Sequence, residues 1–334
     1  MVYCPIELVM PRQARLDAPR ALHHIMVRGI NRSKIFKDDR DKVLFLERLG
    51  QTVVQGKCNV YAWVLMNNHV HILFKSGGEG ISGVMRKLLT WYAVYFNRRH
   101  KRRGHLFENR YKSILCEEET YLLALVRYIH LNPIRAKIIQ TLEELDEYPW
   151  SGHREIVGEA RYPWMDTETV LSRFGDTRRR AINEYRRFVR EDVGKGRNPL
   201  LTGGGLIRSR GGWSQVLSMR RKGRKEEADE RILGNGEFVH EVLKESEEKE
   251  LRQLKFRRGG LNINKITEQE CVRRKISEEE LKRGSRRRKV SEARSVIARR
   301  CSEEIGLSGA EIARYLGVNT SSINRAIAKA EGKE

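Results

Sequence analysis

Two strand-like runs joined by a pair of asparagines constrain this chain more than any other feature. Residues 59–66 read NVYAWVLM, residues 69–74 read HVHILF, and only Asn67 and Asn68 lie between them. Two runs rich in apolar, β-branched and aromatic residues with a two-residue polar link predict a tight β-hairpin. Side chains alternate faces along a strand, so His69 and His71 share one side while Val70, Ile72 and Phe74 take the other. One face of the second strand therefore suits a core, and the opposite face presents two imidazoles spaced to share one metal ion. A pair of histidines without any ligand is the competing reading, since His-x-His alone is a common pattern.

The flanking sequence places this hairpin in a larger unit. Residues 23–29 (HHIMVRG) predict a strand, and 38–55 predict a helix through Val43, Leu44, Leu46, Leu49 and Val53. A second helix is expected over 81–97, an extended segment over 104–116 (GHLFENRYKSILC), and a third helix over 120–139. Glu117, Glu118 and Glu119 precede that helix, where negative charge favours the N-terminus. Pro133 lacks an N–H and is expected to end or bend it. The order β-α-β-β-α-β-α predicts an α+β fold of the ferredoxin-like, split β-α-β type, an antiparallel sheet with helices on one face.

The third helix adds a second chemical group. In Tyr128-Ile129-His130-Leu131-Asn132-Pro133, residues 128 and 132 are four apart and lie on one helical face. A phenol there is a nucleophile beside an amide oxygen able to ligate a metal; a tyrosine packed on the sheet and an asparagine ending the helix is the alternative. Tyr111 is the runner-up nucleophile, while Tyr92, Tyr95 and Tyr121 read as core or stacking residues.

At the stretches AWVLMNNHVHILF, GHLFENRYKS and VRYIHLNPIRAKI the chain resembles the REP-associated tyrosine transposases, members of the HUH single-strand transposases, over residues 10–193. The resemblance implies Tyr128 as catalytic nucleophile, His69, His71 and Asn132 as metal ligands, and Mg²⁺ or Mn²⁺ as cofactor. Related insertion-sequence enzymes carry Gln where Asn132 stands. The activity implied is cleavage and rejoining of single-stranded DNA at palindromic, hairpin-forming repeats through a 5′-phosphotyrosine. A homodimer is expected when two DNA ends are exchanged, because one tyrosine cuts one strand at a time. An HUH nickase for replication or transfer is a second reading, which a paired second catalytic tyrosine would favour. A domesticated, non-catalytic DNA-binding regulator is a third.

Charge agrees with a polyanionic partner. Lys and Arg number 66 against 44 Asp and Glu, a formal net charge of +22, with a sequence pI near 10.0. Arg12, Arg15, Arg20, Arg28 and Arg32, and the turn Arg98-Arg99-His100-Lys101-Arg102-Arg103, are candidates for phosphate contact. No apolar stretch approaches the roughly 20 residues needed to cross a bilayer, and no secretory pattern opens the chain, so a cytoplasmic protein with no membrane partner is expected. Met10, followed by the basic run PRQAR, is an alternative start to Met1. Cys4, Cys58, Cys116, Cys271 and Cys301 form no C-x-x-C pair, against a disulfide framework or structural zinc.

Four regions are expected: a catalytic domain over 10–150, a helical satellite over 151–193 with its tryptophans as core, a Gly-rich flexible linker over 194–212, and a helical C-terminal region over 213–334. Within the last, a helix-turn-helix is predicted at about 286–331. Ser308 and Glu311 have capping-box spacing, Gly317 falls between two helices, and Ile312, Leu316, Val318, Ile323 and Ile327 form the apolar set. Asn319, Thr320, Ser321, Ser322, Asn324 and Arg325 then surround the start of a recognition helix aimed at duplex DNA. With the upstream RRRKVSEARSVIARR, this region resembles the DNA-binding domain of the replication initiator DnaA.

Overall fold

The computed structural model describes residues 16–78, 80–158, 161–196, 201, 229, 231–285 and 287–331. Arg12, Arg15 and most of the expected linker over 194–212 lie outside the described residues. The chain divides into two compact units, residues 1–76 with 80–235, and residues 77–79 with 236–334.

The first unit follows the expected order: β1 (Leu22–Arg28), α1 (Asp39–Gln55), β2 (Asn59–Met66), β3 (His69–Lys75), α2 (Ser82–Arg99), β4 (Lys112–Cys116) and α3 (Glu118–His130). β3 lies between β2 and β1, and β1 between β3 and β4, all antiparallel. This is the split β-α-β arrangement, with β1 and β2 separated by the strand that bears the histidines. A fifth strand, β5 (Ile232–Leu233), adds in parallel to β4 and makes the sheet mixed. Its two residues carry no strand signal of their own.

The expectation of helices on one face does not hold. In β2 every residue after Asn59 is buried, and in β3 residues 70–74 are all buried, so both sides of the pleat are covered. α3 lies over the histidine face, where Lys75 of β3 pairs with Glu118 at 2.7 Å and the Tyr128 ring meets His71. The reason is in the strands themselves: Ala62, Val64 and Leu73 share the histidine side and are as apolar as the opposite side, so each side needs its own cover. α1 and α2 pack on each other through Phe45 and Tyr92, ring centroids 5.0 Å apart.

Two boundaries also differ from expectation. The segment 104–116 is a strand only from Lys112; upstream, Phe107 bridges Gly29 and the chain crosses the end of β1. The third helix stops at His130, and α4 (Asn132–Arg135) restarts after Leu131 with Pro133 in its first turn, where a missing N–H costs nothing. Beyond it, α5 (Leu142–Glu147), α6 (His153–Val157), α7 (Thr167–Leu171) and α8 (Arg178–Arg190) join the same buried cluster through Leu145, Ile156, Val170 and Tyr185. Trp63, fully buried on β2, meets Tyr162 and Trp164 at 5.7 and 6.2 Å.

The second unit is helical: α9 (Gly236–Arg258), α10 (Ile263–Arg274), α11 (Glu278–Lys282), α12 (Arg288–Glu303), α13 (Gly309–Leu316) and α14 (Thr320–Glu331). Ile266, Leu281, Val290, Ile297, Ile312, Leu316 and Ile323 are buried together, with Val318 and Ile327 packed against them. Ser308 and Glu311 form a complete capping box at the start of α13, and Gly317 ends it with φ of 63°, a left-handed cap that favours glycine. Among the described residues no helix is long and apolar enough to cross a membrane.

A buried carboxylate ties α1 to the end of α2. Asp41, fully buried, accepts from the Lys37 N–H at 2.8 Å, from His100 Nε2 at 2.9 Å and from the Tyr95 hydroxyl at 3.2 Å, and also pairs with Arg99. Asp38 caps α1 and takes a second ion pair from Arg99 at 2.7 Å; that hydrogen bond holds its carboxyl down at about 2. Removing Asp41 leaves the Lys37 N–H, the Tyr95 hydroxyl and His100 without their acceptor, while Arg99 keeps Asp38, so Asp41→Ala is expected to destabilise the first unit by about 3 kcal/mol. Urea unfolding followed by tryptophan fluorescence checks this, since the described tryptophans, Trp63, Trp91, Trp150 and Trp164, all belong to that unit; a loss under about 1 kcal/mol would show that the donors around Asp41 are well satisfied without it.

Candidate active site

The hairpin turn determines how His69 is presented. Met66 pairs with His69 across Asn67 and Asn68. Neither asparagine has positive φ; the turn is held instead by the β1–α1 connection, whose Ile35 and Phe36 N–H groups donate to the Asn67 carbonyl. The Asn68 amide nitrogen donates to the Arg32 carbonyl at 3.1 Å, which turns its oxygen toward His69 Nδ1 at 2.6 Å. An amide oxygen only accepts, so Nδ1 of His69 carries the proton and Nε2 is the ring nitrogen with a lone pair.

His71 sits deeper, 7% exposed, its ring centroid 5.2 Å from that of His69. Its Nδ1 lies 2.9 Å from Nε2 of His24, which is 1% exposed on β1. The Tyr128 ring stands edge-on to both, with centroids 6.1 Å from His71 and 5.9 Å from His24. Of the tyrosines weighed from sequence, only Tyr128 has ring contacts with the histidine face among the described residues. Tyr92 is fully buried with its hydroxyl on the Ile35 carbonyl, and burial raises its pKa. Tyr95 donates to Asp41, Tyr111 faces Ser82 at 3.2 Å, and burial raises the pKa of Tyr121.

Asn132 opens α4 one turn beyond Tyr128. Its amide nitrogen donates to the carbonyls of Tyr128 at 3.0 Å and Ile129 at 3.2 Å, so the helix end engages the nitrogen and the oxygen is the acceptor of that side chain. Among the described residues no group of three or more His, Cys, Asp or Glu side chains is arranged to hold a metal ion. An amide oxygen such as that of Asn132 is of the donor type that hard divalent cations accept.

Two site residues were missed from sequence. His24 stands beside His23 in a strand whose register with β3 the sequence does not state; His23 points the other way, to the Ser113 hydroxyl at 3.1 Å. Arg135, seven residues from Tyr128, returns to it because the helix breaks at Leu131. Its guanidinium donates to the Tyr128 carbonyl at 3.1 Å, lies 5.2 Å from the Tyr128 ring centroid and pairs with Asp192 at 2.7 Å. Burial lowers the Arg135 pKa, partly offset by Asp192.

The expected DNA-contacting residues divide. In the turn after α2, Arg98, Lys101 and Arg103 are exposed, whereas Arg99 is engaged by Asp38 and Asp41 and Arg102 by the Asn97 side chain at 3.3 Å. Arg20, Arg28 and Arg32 are exposed. In the second unit Thr320, Ser321, Ser322 and Arg325 are exposed, but the Asn319 oxygen caps α14 by accepting from Ser321 N–H at 2.7 Å, and the half-buried Asn324 packs on Gly309.

Behind Tyr128 the helix is pinned by a directional chain. The Asp146 carboxylate accepts from His153 Nε2 at 2.8 Å, His153 Nδ1 then accepts from the Tyr185 hydroxyl at 3.0 Å, and the Tyr185 oxygen accepts from His130 Nδ1 at 2.7 Å.

These elements define a site with two histidines on a central strand of a ferredoxin-like sheet and one tyrosine on the helix across it. Residues 19–132, about a third of the chain, match the family model described as "Transposase IS200 like", a span that takes in both histidines and Tyr128 and ends on Asn132. Over that segment the chain carries the IS200-like transposase pattern, in agreement with the resemblance read from its motifs. A solved structure of a REP-associated tyrosine transposase bound to a REP hairpin is also similar, at 16% identity over 47% of this chain and 93% of that one, with a TM-score of 0.37. No curated protein matches.

Burial pushes the pKa of His130 and His153 below the usual imidazole range, so both are neutral in the fold. The unfolded chain therefore takes up protons first as pH falls below about 6.5; stability is full above that value and declines on acidification. His130→Gln is expected to flatten the decline in urea-unfolding stability between about pH 7 and 5; an unaltered slope would assign it to other groups.

Proposed function

We propose that this protein is a metal-dependent DNA transposase that cuts and rejoins single-stranded DNA at hairpin-forming repeats through a 5′-phosphotyrosine. The observation that carries this reading is the convergence of His69, His71 and Tyr128 from a strand and a helix far apart in sequence, with adjacent ring centroids 5.2 and 6.1 Å apart. Nε2 of His69 and His71 and the Asn132 oxygen would hold a divalent ion, Mg²⁺ or Mn²⁺. When bound, such an ion acts as a Lewis acid on a non-bridging phosphate oxygen and orients the phosphorus.

The chain's own groups do the rest. The Tyr128 oxygen attacks the phosphorus; an oxygen–phosphorus bond to the tyrosine forms on the 5′ side, the bond to the 3′ oxygen breaks, and the phenol's proton passes in net to that leaving oxygen, giving a 3′ hydroxyl. The reverse attack by a 3′ hydroxyl reseals DNA, so no nucleotide is consumed. Arg135 holds the Tyr128 backbone and places positive charge beside the ring. Arg98, Lys101 and Arg103 offer charge to the backbone of the strand. Exchange of two ends calls for two copies of the chain.

In the second unit, α13 and α14 form a helix pair with an exposed leading edge suited to duplex DNA as a helix-turn-helix. Arg325 is the exposed cation on that edge, and Arg325→Ala is expected to weaken duplex binding and lower its salt slope by about one. Titrations at several salt concentrations measure this; an unchanged slope would remove Arg325 from the contact.

The cleavage reading is tested with a radiolabelled single-stranded hairpin, Mn²⁺ and the full chain. A covalent adduct mapping to Tyr128 is expected. It should vanish with EDTA and in Tyr128→Phe, while hairpin binding persists. Adduct surviving in Tyr128→Phe would assign the nucleophile elsewhere. Binding without adduct in the unaltered protein would favour the non-catalytic regulator.

A further inference from the structure

We propose that His24 is a positioning residue for His71, holding its imidazole in the tautomer that presents Nε2 to a metal ion; this rests on the metal-dependent reading above. Nothing in the His-x-His motif involves His24. It reaches the site because β1 pairs with β3 so that Met26 opposes His71 and His24 opposes Leu73, which puts His24 on the histidine face, diagonal to His71.

The chemistry of the contact is constrained. His24 Nε2 and His71 Nδ1 are 2.9 Å apart, so one of them carries the shared proton. If His24 donates, the proton of neutral His71 moves to Nε2 and that nitrogen cannot coordinate. If His71 donates, its Nε2 has the lone pair, and His24 is the acceptor, with its own proton on Nδ1. Only the second arrangement is compatible with ligation. A ligating histidine ordinarily gives its other N–H to a carboxylate, a carbonyl or a water, which sets ring orientation and basicity. Asn68 does this for His69, and an imidazole fills the role for His71. The Tyr128 ring, edge-on to both rings at 74° and 83°, limits the space in which either imidazole can flip.

Two measurements test this on the full-length chain. Long-range ¹H–¹⁵N correlation of the imidazoles in the metal-free protein is expected to show His71 protonated on Nδ1 and His24 with a lone pair on Nε2; an Nε2–H His71 overturns the proposal. Mn²⁺ alone is then titrated calorimetrically into the unaltered protein, His69→Ala, His24→Phe and His24→Gln. His24→Phe keeps a ring but no acceptor, and should bind Mn²⁺ about 10- to 100-fold more weakly. His24→Gln restores an acceptor oxygen and should recover most of that loss, a rescue that packing alone does not give. Equal Mn²⁺ affinity in His24→Phe and the unaltered protein, or equal loss in both His24 variants, overturns the role of His24 while leaving the metal site in place. Indifference of Mn²⁺ binding to His69→Ala would instead remove the metal site and this proposal together.

Discussion

The pairing of β3 between β1 and β2 is the constraint on which the rest depends. One strand supplies both a fully buried apolar row, Val70, Ile72 and Phe74, and the two histidines of the site. A slip of one residue would bury the imidazoles on the wrong side and turn the apolar row toward α3. The two-residue turn at Asn67 and Asn68 resists such a slip, because its carbonyls and the Asn68 side chain are bound by residues 29–36 of the β1–α1 connection. Register, tautomer and site geometry are thus set by the same hydrogen bonds.

The nucleophile is placed from the opposite direction. α3 is tied to the sheet at its start by Lys75 and Glu118 and to the following helices at its end by the His130–Tyr185–His153–Asp146 chain. Arg135 and Arg127, both engaged by Asp192, anchor its last turn. Buried polar groups of this kind are favourable only when each donor meets an acceptor. Exceptions among the described residues include the Nε of Arg135 and of Arg186, buried donors with no hydrogen-bond partner, and Nε2 of His130, a buried lone pair with none. Part of the positive charge of the first unit is structural: Arg99, Arg127, Arg135 and Arg186 each face a carboxylate. The net charge of +22 speaks to a polyanionic partner, but which arginines are available depends on where the acidic residues fold.

The His69–His71 pair, the hairpin and the break near Pro133 were legible because each rests on a local rule: strand alternation, a two-residue link, and an absent N–H. The capping box and Gly317 of α13 were legible for the same reason, being local backbone chemistry. The cover on both faces was not, because β2 and β3 are apolar on both sides and a sequence does not say which helix meets which side. Within the extended segment expected over 104–116, only Lys112–Cys116 pairs as a strand, because the first half crosses the end of β1 through the Gly29–Phe107 bridge rather than running alongside it.

By itself, the sequence determined which residue types bear the chemistry and the spacing that puts His69 and His71 on one side and Tyr128 four residues before Asn132. Tertiary structure alone decided that His24 rather than His23 meets His71, that Arg135 folds back onto Tyr128, and that Arg99 is spent on Asp38 and Asp41. The physical reason is range. Periodicity and capping act over a few residues and can be read along the chain, whereas strand register and ion pairing between distant segments arise only when the whole sheet closes.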